Sequence, residues 1–262
     1  ARRQRACGLE ALVRRHHPTP GLVPPGAFLP LADELGLMPA LTERVLRAAC
    51  AWTATWNADR RRRTLSIAVN VAPTVLADPG VVDLVTDALR ASGLAPGALV
   101  LEVTEETLIE PGSPARANAA RLSELGIAIS IDDYGTGYSS LAQLHRMPAA
   151  ELKLDRALTR DLRTDHRARE IVSATIDLAH RLGLRVAAEA VEDQLSHPLL
   201  TALPVDQVQG WVHAEAMPPD AVERWLDSHH EPAGPSASGP PPVPSIPAAF
   251  TPPRRHGASA GR

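Results

Sequence analysis

Short apolar runs in this chain end repeatedly on a carboxylate or an amide. They give Glu10 in GLEALVR, Asn70 in SIAVN, Glu102 in LVLEV, Asp132 and Asp133 in IAISIDD, and Glu189 in VAAEA. Such runs, rich in Val, Ile and Leu, read as buried strands. A carboxylate at the end of a buried strand is costly unless a cation, a donor or a ligand compensates it. One such residue is explained by an ordinary ion pair. Their recurrence at strand–helix intervals predicts a barrel whose strand ends converge on a divalent-metal site.

The periodicity predicts strands over residues 8–13, 64–71, 98–104, 128–131, 149–152, 185–189 and 206–209, and helices over 41–54, 81–91, 114–125, 167–182 and 219–228. In the fourth of these helices Ile171, Ala174, Leu178, Ala179 and Leu182 recur at three- and four-residue steps and form the expected apolar stripe. Gly93, Gly126 and Gly183 each close a helix shortly before the next strand, as left-handed C-caps would. Alternation of this kind implies parallel strands with crossover helices. Seven strands are one short of an eight-stranded barrel, and an open doubly wound sheet is the alternative. The barrel is preferred because polar residues follow nearly every strand, whereas an open sheet concentrates them at one switch point.

At 262 residues and 44% hydrophobic content the chain can bury a sizeable core. A net charge of −3 gives no global pull toward nucleic acid or an anionic membrane. No run is long and apolar enough to span a bilayer, and ARRQRACGLE lacks the apolar segment of a secretory signal, so a cytoplasmic location is expected. Cys7 and Cys50 are too few for a disulfide framework or a zinc site and read as reduced thiols. Composition shifts after Ser228. Residues 1–228 carry the domain, while 229–262, dominated by Pro, Ala, Gly and Ser, read as a disordered, partly polyproline tail. The run Arg60 to Arg63 reads as a solvated loop, and Trp52 with Trp56, four apart, as core or interface.

Oxygen donors from Glu10, Asn70, Glu102, Asp132 and Asp133 are hard ligands, suited to Mg2+ or Mn2+ rather than zinc. Adjacent aspartates repel and raise each other's pKa, which two metals bridged by one carboxylate would resolve. Lys153 and Arg14 are the only obvious strand-associated cations, too few to neutralise the set as ion pairs. Beside it, DDYGTGYSSL (132–141) holds Gly135 and Gly137 and reads either as a simple helix-start turn or as a loop that responds to substrate or partner.

These blocks resemble the EAL-domain cyclic-di-GMP phosphodiesterases. The resemblance runs from about Gly8 to Trp225. Its ordered blocks are EALVR with His17-Pro18, GLVPPGAF, the Asn70 strand, EVTE from Glu102, DDYGTGYSSL, LKLD from Leu152, AEAVE from Ala188, and QGW from Gln209. It implies a modified TIM-type (β/α)8 barrel with one antiparallel strand, and metal-dependent hydrolysis of cyclic di-GMP to linear pGpG. By resemblance Glu10, Asn70, Glu102 and Asp132 bind one metal. Asp133 binds a second and helps position the attacking water. Lys153 lies near that water and the scissile phosphate, and Glu189 is the candidate general base or a support of the metal site. Arg14 contacts phosphate, Leu12 and Gln209 belong to the substrate pocket, and Glu105 anchors the glycine-containing loop.

The same resemblance implies a homodimer and an upstream sensor or GGDEF-type domain. Departures are visible too. The family's first strand, with its YQP-like sequence, has no counterpart before EAL, so the chain is expected to be an N-terminally truncated barrel. Arg15 stands where a tryptophan is usual, Ala190 where a glycine is, Tyr134 for phenylalanine and Ala72 for serine. A catalytically inactive cyclic-di-GMP receptor is therefore the alternative function.

Overall fold

A computed structural model describes residues 6–19, 21–59, 64–135, 144–145, 147–189, 199–200 and 202–228. The tail, the Arg60 to Arg63 run, Ala190, and the glycine-containing loop beyond Gly135 lie outside these residues.

The strands are β1 (Gly8–Ala11), β2 (Arg15–His17), β3 (Gly21–Val23), β4 (Ser66–Asn70), β5 (Leu99–Thr104), β6 (Ala128–Tyr134), β7 (Glu151–Leu154), β8 (Arg185–Ala188) and β9 (Gln207–Val208). The helices are α1 (Leu29–Glu34), α2 (Met38–Ala58), α3 (Pro73–Leu76), α4 (Val81–Ser92), α5 (Glu105–Ile109), α6 (Pro114–Glu124), α7 (Arg156–Thr159), α8 (His166–Arg181) and α9 (Pro219–Ser228). One sheet runs β1-β4-β5-β6-β7-β8-β9 with every ladder parallel. Among the described residues antiparallel pairing occurs only in the β2–β3 hairpin, so the antiparallel barrel strand implied by the resemblance has no counterpart here.

The curled sheet is an incomplete TIM-type barrel. Among the described residues β1 and β9 share no ladder, and a seam separates them. A side-chain bond crosses it, from Gln209 Nε2 to Glu10 Oε2 at 2.5 Å. Helix α2 borders the seam. Its Trp56 is buried against Leu65 and Leu226, with the indole Nε1 lacking a hydrogen-bond partner among the described residues. Asn57 ties this helix to the approach of β4, donating to the Leu65 carbonyl at 2.9 Å and accepting from its N–H at 2.8 Å.

Alternation along each strand divides the residues between two environments. Val69, Leu99, Leu101, Ile129, Ile131, Leu152, Leu154 and Val186 are fully buried in the main core. The alternate positions face the barrel axis, where Ala68, Val100 and Ala128 are small enough to close the floor and polar residues occupy the layers above.

Helix ends follow local chemistry. Gly93 takes φ 71° and donates to the Leu89 carbonyl, closing α4. Ser113 and Asp165 accept from backbone N–H groups and start α6 and α8.

Several boundaries differ from expectation. Helix α2 is longer at both ends, and at its start Pro39 fits the first turn, where its missing N–H leaves no helical bond unmade. Strand β7 begins two residues late, and β6 continues to Tyr134. The stripe on α8 is also corrected. Val172, Ile176 and Ala179 are buried, whereas Ile171 is 57% exposed. The two stripes lie one residue apart around the helix, about 100°, and the sheet meets the narrower one.

Candidate active site

The polar residues predicted from the strand ends gather at the carboxyl edge of the sheet. Glu10, Asn70, Glu102 and Lys153 lie on β1, β4, β5 and β7, while Glu189 and Gln209 directly follow β8 and β9. Asn70 and Glu102 are register partners. Asn70 Nδ2 donates to Glu10 Oε1 at 2.8 Å and to Glu102 Oε2 at 3.1 Å. With the Gln209 bond, three strands and the far side of the seam are thus tied through Glu10.

Lys153 is the hub of the other half. Its Nζ lies 2.6 Å from Glu102 Oε1 and 3.3 Å from Asp132 Oδ1, and it also pairs with Glu189 Oε1.

Asp132 and Asp133 occupy a bulge. Ile131 pairs with Leu152 and Tyr134 with Leu154, so two aspartates stand opposite the single Lys153. An extra residue in one strand re-aims its side chains and kinks the chain. Asp133 takes φ 54°, a left-handed conformation that aspartate tolerates better than most residues. Its N–H donates to Asp132 Oδ1 at 3.1 Å. The bulge lets both carboxylates serve the same side of the sheet.

The electrostatics are those of a crowded acidic site. Burial, then the nearby Glu10, raises Glu102 to about 9 against the opposing pull of Lys153. Burial, with Asp132 and Glu10 adding to it, raises Glu189 to about 7, again opposed by Lys153. Asp133 is also raised, by burial and then by Asp132 and Asp155. For Lys153 burial alone would favour the neutral amine, but Glu102, Glu10, Glu189 and Asp132 reverse this and hold the ammonium more firmly than usual.

Carboxylate oxygens of Glu10, Glu102 and Glu189 come within 4.8 Å of one another, as do those of Asp132, Asp133 and Glu189. Each of these groups, with Glu189 in both, has the hard oxygen donors that suit a divalent cation. Five carboxylates gather around the single ammonium of Lys153, so the donor set holds more acidic groups than that lysine can pair.

The group opens into a cavity of about 930 Å3, whose walls include Leu12 and Trp211. Leu12 is 45% exposed and Trp211 65%, so both offer apolar surface at its mouth. Trp211 belongs to the QGW block, yet its chemistry was not singled out from sequence; an aromatic directly after the Gln209–Gly210 pair was the available signal.

Two expected residues stand apart. Arg14 does not line this cavity, and its Nη1 donates to the adjacent Val13 carbonyl at 2.9 Å. Glu105 lies at the start of α5, where it is buried and its Oε1 has no hydrogen-bond partner among the described residues. The loop it was expected to anchor lies outside them. The sequence reading also missed a strand-borne cation. Arg185 on β8 pairs with Glu151 Oε2 at 3.2 Å.

Known proteins share this fold. The EAL domain family profile matches residues 1–216. MucR of Pseudomonas aeruginosa, named as a bifunctional diguanylate cyclase/cyclic di-GMP phosphodiesterase, is 42% identical over 82% of this chain and 31% of its own length. NbdA of the same organism, named as a cyclic di-GMP phosphodiesterase, is 40% identical over 87% of this chain and 29% of its own. The chain therefore spans about a third of the length of these curated relatives. Among solved structures, a MucR phosphodiesterase in complex with cyclic di-GMP superposes with a TM-score of 0.75 at 41% identity, covering 81% of this chain and 86% of that one. The EAL domain of Mycobacterium smegmatis DcpA gives 0.66 at 31% identity, covering 72% and 84%. Strand-end carboxylates, the lysine between them and the profile match agree, and the chain belongs to the EAL domain family.

Proposed function

We propose that this chain hydrolyses one 3′–5′ linkage of cyclic di-GMP to give linear pGpG. The observation that carries the reading is the convergence of the carboxylates of Glu10, Glu102, Asp132, Asp133 and Glu189 around Lys153, beside an open cavity. The names of MucR and NbdA support the substrate.

Glu10, Asn70, Glu102 and Asp132 would hold one Mg2+ or Mn2+ and Asp133 a second. Asn70 presents its amide oxygen by a flip of the side chain. Bound there, the ions supply neutralisation of the phosphate charge and acidification of the attacking water.

The chain's own groups do the rest. Water attacks phosphorus, the P–O3′ bond breaks, and the departing O3′ takes a proton from solvent. Glu189, beside Lys153 and within reach of Asp132 and Asp133, would accept the proton of the water. Lys153, held charged by its carboxylates, faces the developing negative charge on the phosphoryl oxygens. Asp133 orients the water from the bulge. Leu12 and Trp211 give a purine flat apolar surface, Gln209 braces Glu10, and Arg14 reaches a phosphate by leaving the Val13 carbonyl. Glu105 awaits the glycine-containing loop as its partner.

A homodimer and an upstream sensor or cyclase-type domain complete the reading, in line with the two activities joined in the name of MucR. No helix among the described residues is long and apolar enough to cross a membrane.

The test is turnover of cyclic di-GMP with Mg2+ or Mn2+, followed by chromatography, beside a Glu10→Ala control. Production of pGpG that disappears in the control supports the reading. Binding of cyclic di-GMP without turnover in folded protein overturns it in favour of a receptor.

A further inference from the structure

One layer below Asp132, Lys153 and Glu189, a second set of polar side chains crosses β6, β7 and β8, in the register row that continues through Glu102 on β5 and Asn70 on β4. Glu151 on β7 is the register partner of both Ser130 on β6 and Arg185 on β8. Ser130 Oγ donates to Glu151 Oε1 at 3.1 Å, and Arg185 Nη2 lies 3.2 Å from Glu151 Oε2. Ser130 and Glu151 are buried, and Arg185 is partly so. Each stands two residues before an inward position of the layer above: Ser130 before Asp132, Glu151 before Lys153, and Arg185 before Ala187, which leads to Glu189. The two layers are therefore about 6.6 Å apart along the strands.

Stability does not explain the belt. A buried ion pair is often replaced by apolar residues of similar volume at no loss, because desolvation cancels the attraction. Its position does offer an explanation. Regular pairing of β6 with β7 stops at Ile131 and Leu152, and the bulge leaves Lys153 opposite two residues at once. On the β6 side no residue is the single register partner of Lys153, whereas β8 pairs it with Ala187 and the β6 ladder resumes at Tyr134 and Leu154. The belt grips β7 from both sides immediately beneath that point.

We propose that Glu151, clamped by Ser130 and Arg185, is a positioning residue that sets the register of Lys153 for phosphodiester hydrolysis. This rests on the phosphodiesterase reading above. It assigns Glu151 and Arg185 no contact with substrate or metal.

The experiment compares wild type with Glu151→Gln, Arg185→Met, Arg185→Lys and the Gln/Met double variant in the full chain with Mn2+. Steady-state kinetics and melting are measured on each. The ammonium signal of Lys153 is followed by nitrogen NMR in the metal-free proteins.

Glu151→Gln and Arg185→Met should lower kcat about tenfold, since an ångström of misplacement costs up to about a hundredfold. KM should stay within about twofold, while melting should fall in both single variants, each of which leaves a buried charge unpaired, and recover in the double variant. Arg185→Lys should keep most of kcat, and the double variant should fall no further than the worse single. The Lys153 signal should shift or broaden in Glu151→Gln and Arg185→Met but not in Arg185→Lys.

Full kcat and an unmoved Lys153 signal in the folded single variants overturn the proposal. So does a kcat that recovers together with melting temperature in the double variant. A wild type without turnover overturns the phosphodiesterase reading instead, and the NMR signal then decides the positioning role alone.

Discussion

Lys153 Nζ stands 2.6 Å from Glu102 Oε1, with both side chains only 2% exposed. Neither charge is solvated, so each depends on the other and on the carboxylates around them. Removing one partner of a buried pair leaves an uncompensated charge. Lys153→Met should destabilise the metal-free protein by about 3–5 kcal/mol, and saturating Mg2+ or Mn2+ should recover most of the loss. Denaturant melts with and without the cation check this, and a metal-free variant as stable as wild type would remove the lysine's compensating role.

The same crowding gives a pH dependence. Glu189 and Glu102 are raised from 4.5 to about 7 and about 9. Between 4.5 and those values the folded state binds more protons than the unfolded chain, so stability falls as pH rises. The metal-free melting temperature should decline from about pH 5 to about pH 9, most steeply in the lower part, where both groups contribute. Mn2+ should flatten the profile. A metal-free melting temperature that climbs across this range would contradict the electrostatics described here.

Glu189→Gln keeps the shape of the side chain and removes its basicity. Turnover should fall by about 10²–10⁴-fold while binding of cyclic di-GMP persists. Calorimetry beside the chromatographic assay reads both quantities on one sample. Retention of more than a tenth of wild-type turnover would move the proton-accepting role elsewhere.

Trp211, 65% exposed at the cavity mouth, should act on affinity rather than chemistry. Base–aromatic stacking is worth about 1–3 kcal/mol. Trp211→Ala should therefore raise KM at least about fivefold and leave kcat within about twofold. An unchanged KM would show that the base lies away from the indole.

The convergence of polar residues at one edge of the sheet was legible because a strand-end carboxylate among Val, Ile and Leu contradicts its surroundings, and Glu10, Glu102 and Glu189 all do so. Seven strands and their parallel order followed from the same alternation. The bulge was not legible, since Asp132-Asp133 reads alike whether one side chain faces inward or both do; pairing with β7 decides that. Arg185 escaped notice because a cation just after a helix suits the helix terminus as well as a strand. Ile171 was misassigned because two apolar stripes run side by side on α8, and only the packed sheet distinguishes them. The β2–β3 hairpin left no alternating pattern long enough to read.

The seam between β1 and β9 has a mechanical consequence. Among the described residues, Glu10 rides on a strand clamped from one flank by β4 and tethered across the gap by a Gln209 side chain. Such an arm can peel outward without unzipping the rest of the sheet, so its amides should exchange with solvent sooner than those of β5 or β6. Any ligand that recruits Glu10 then acts as a latch. It closes the arm as it binds, and part of its affinity is spent on bringing the loosest wall of the pocket to rest.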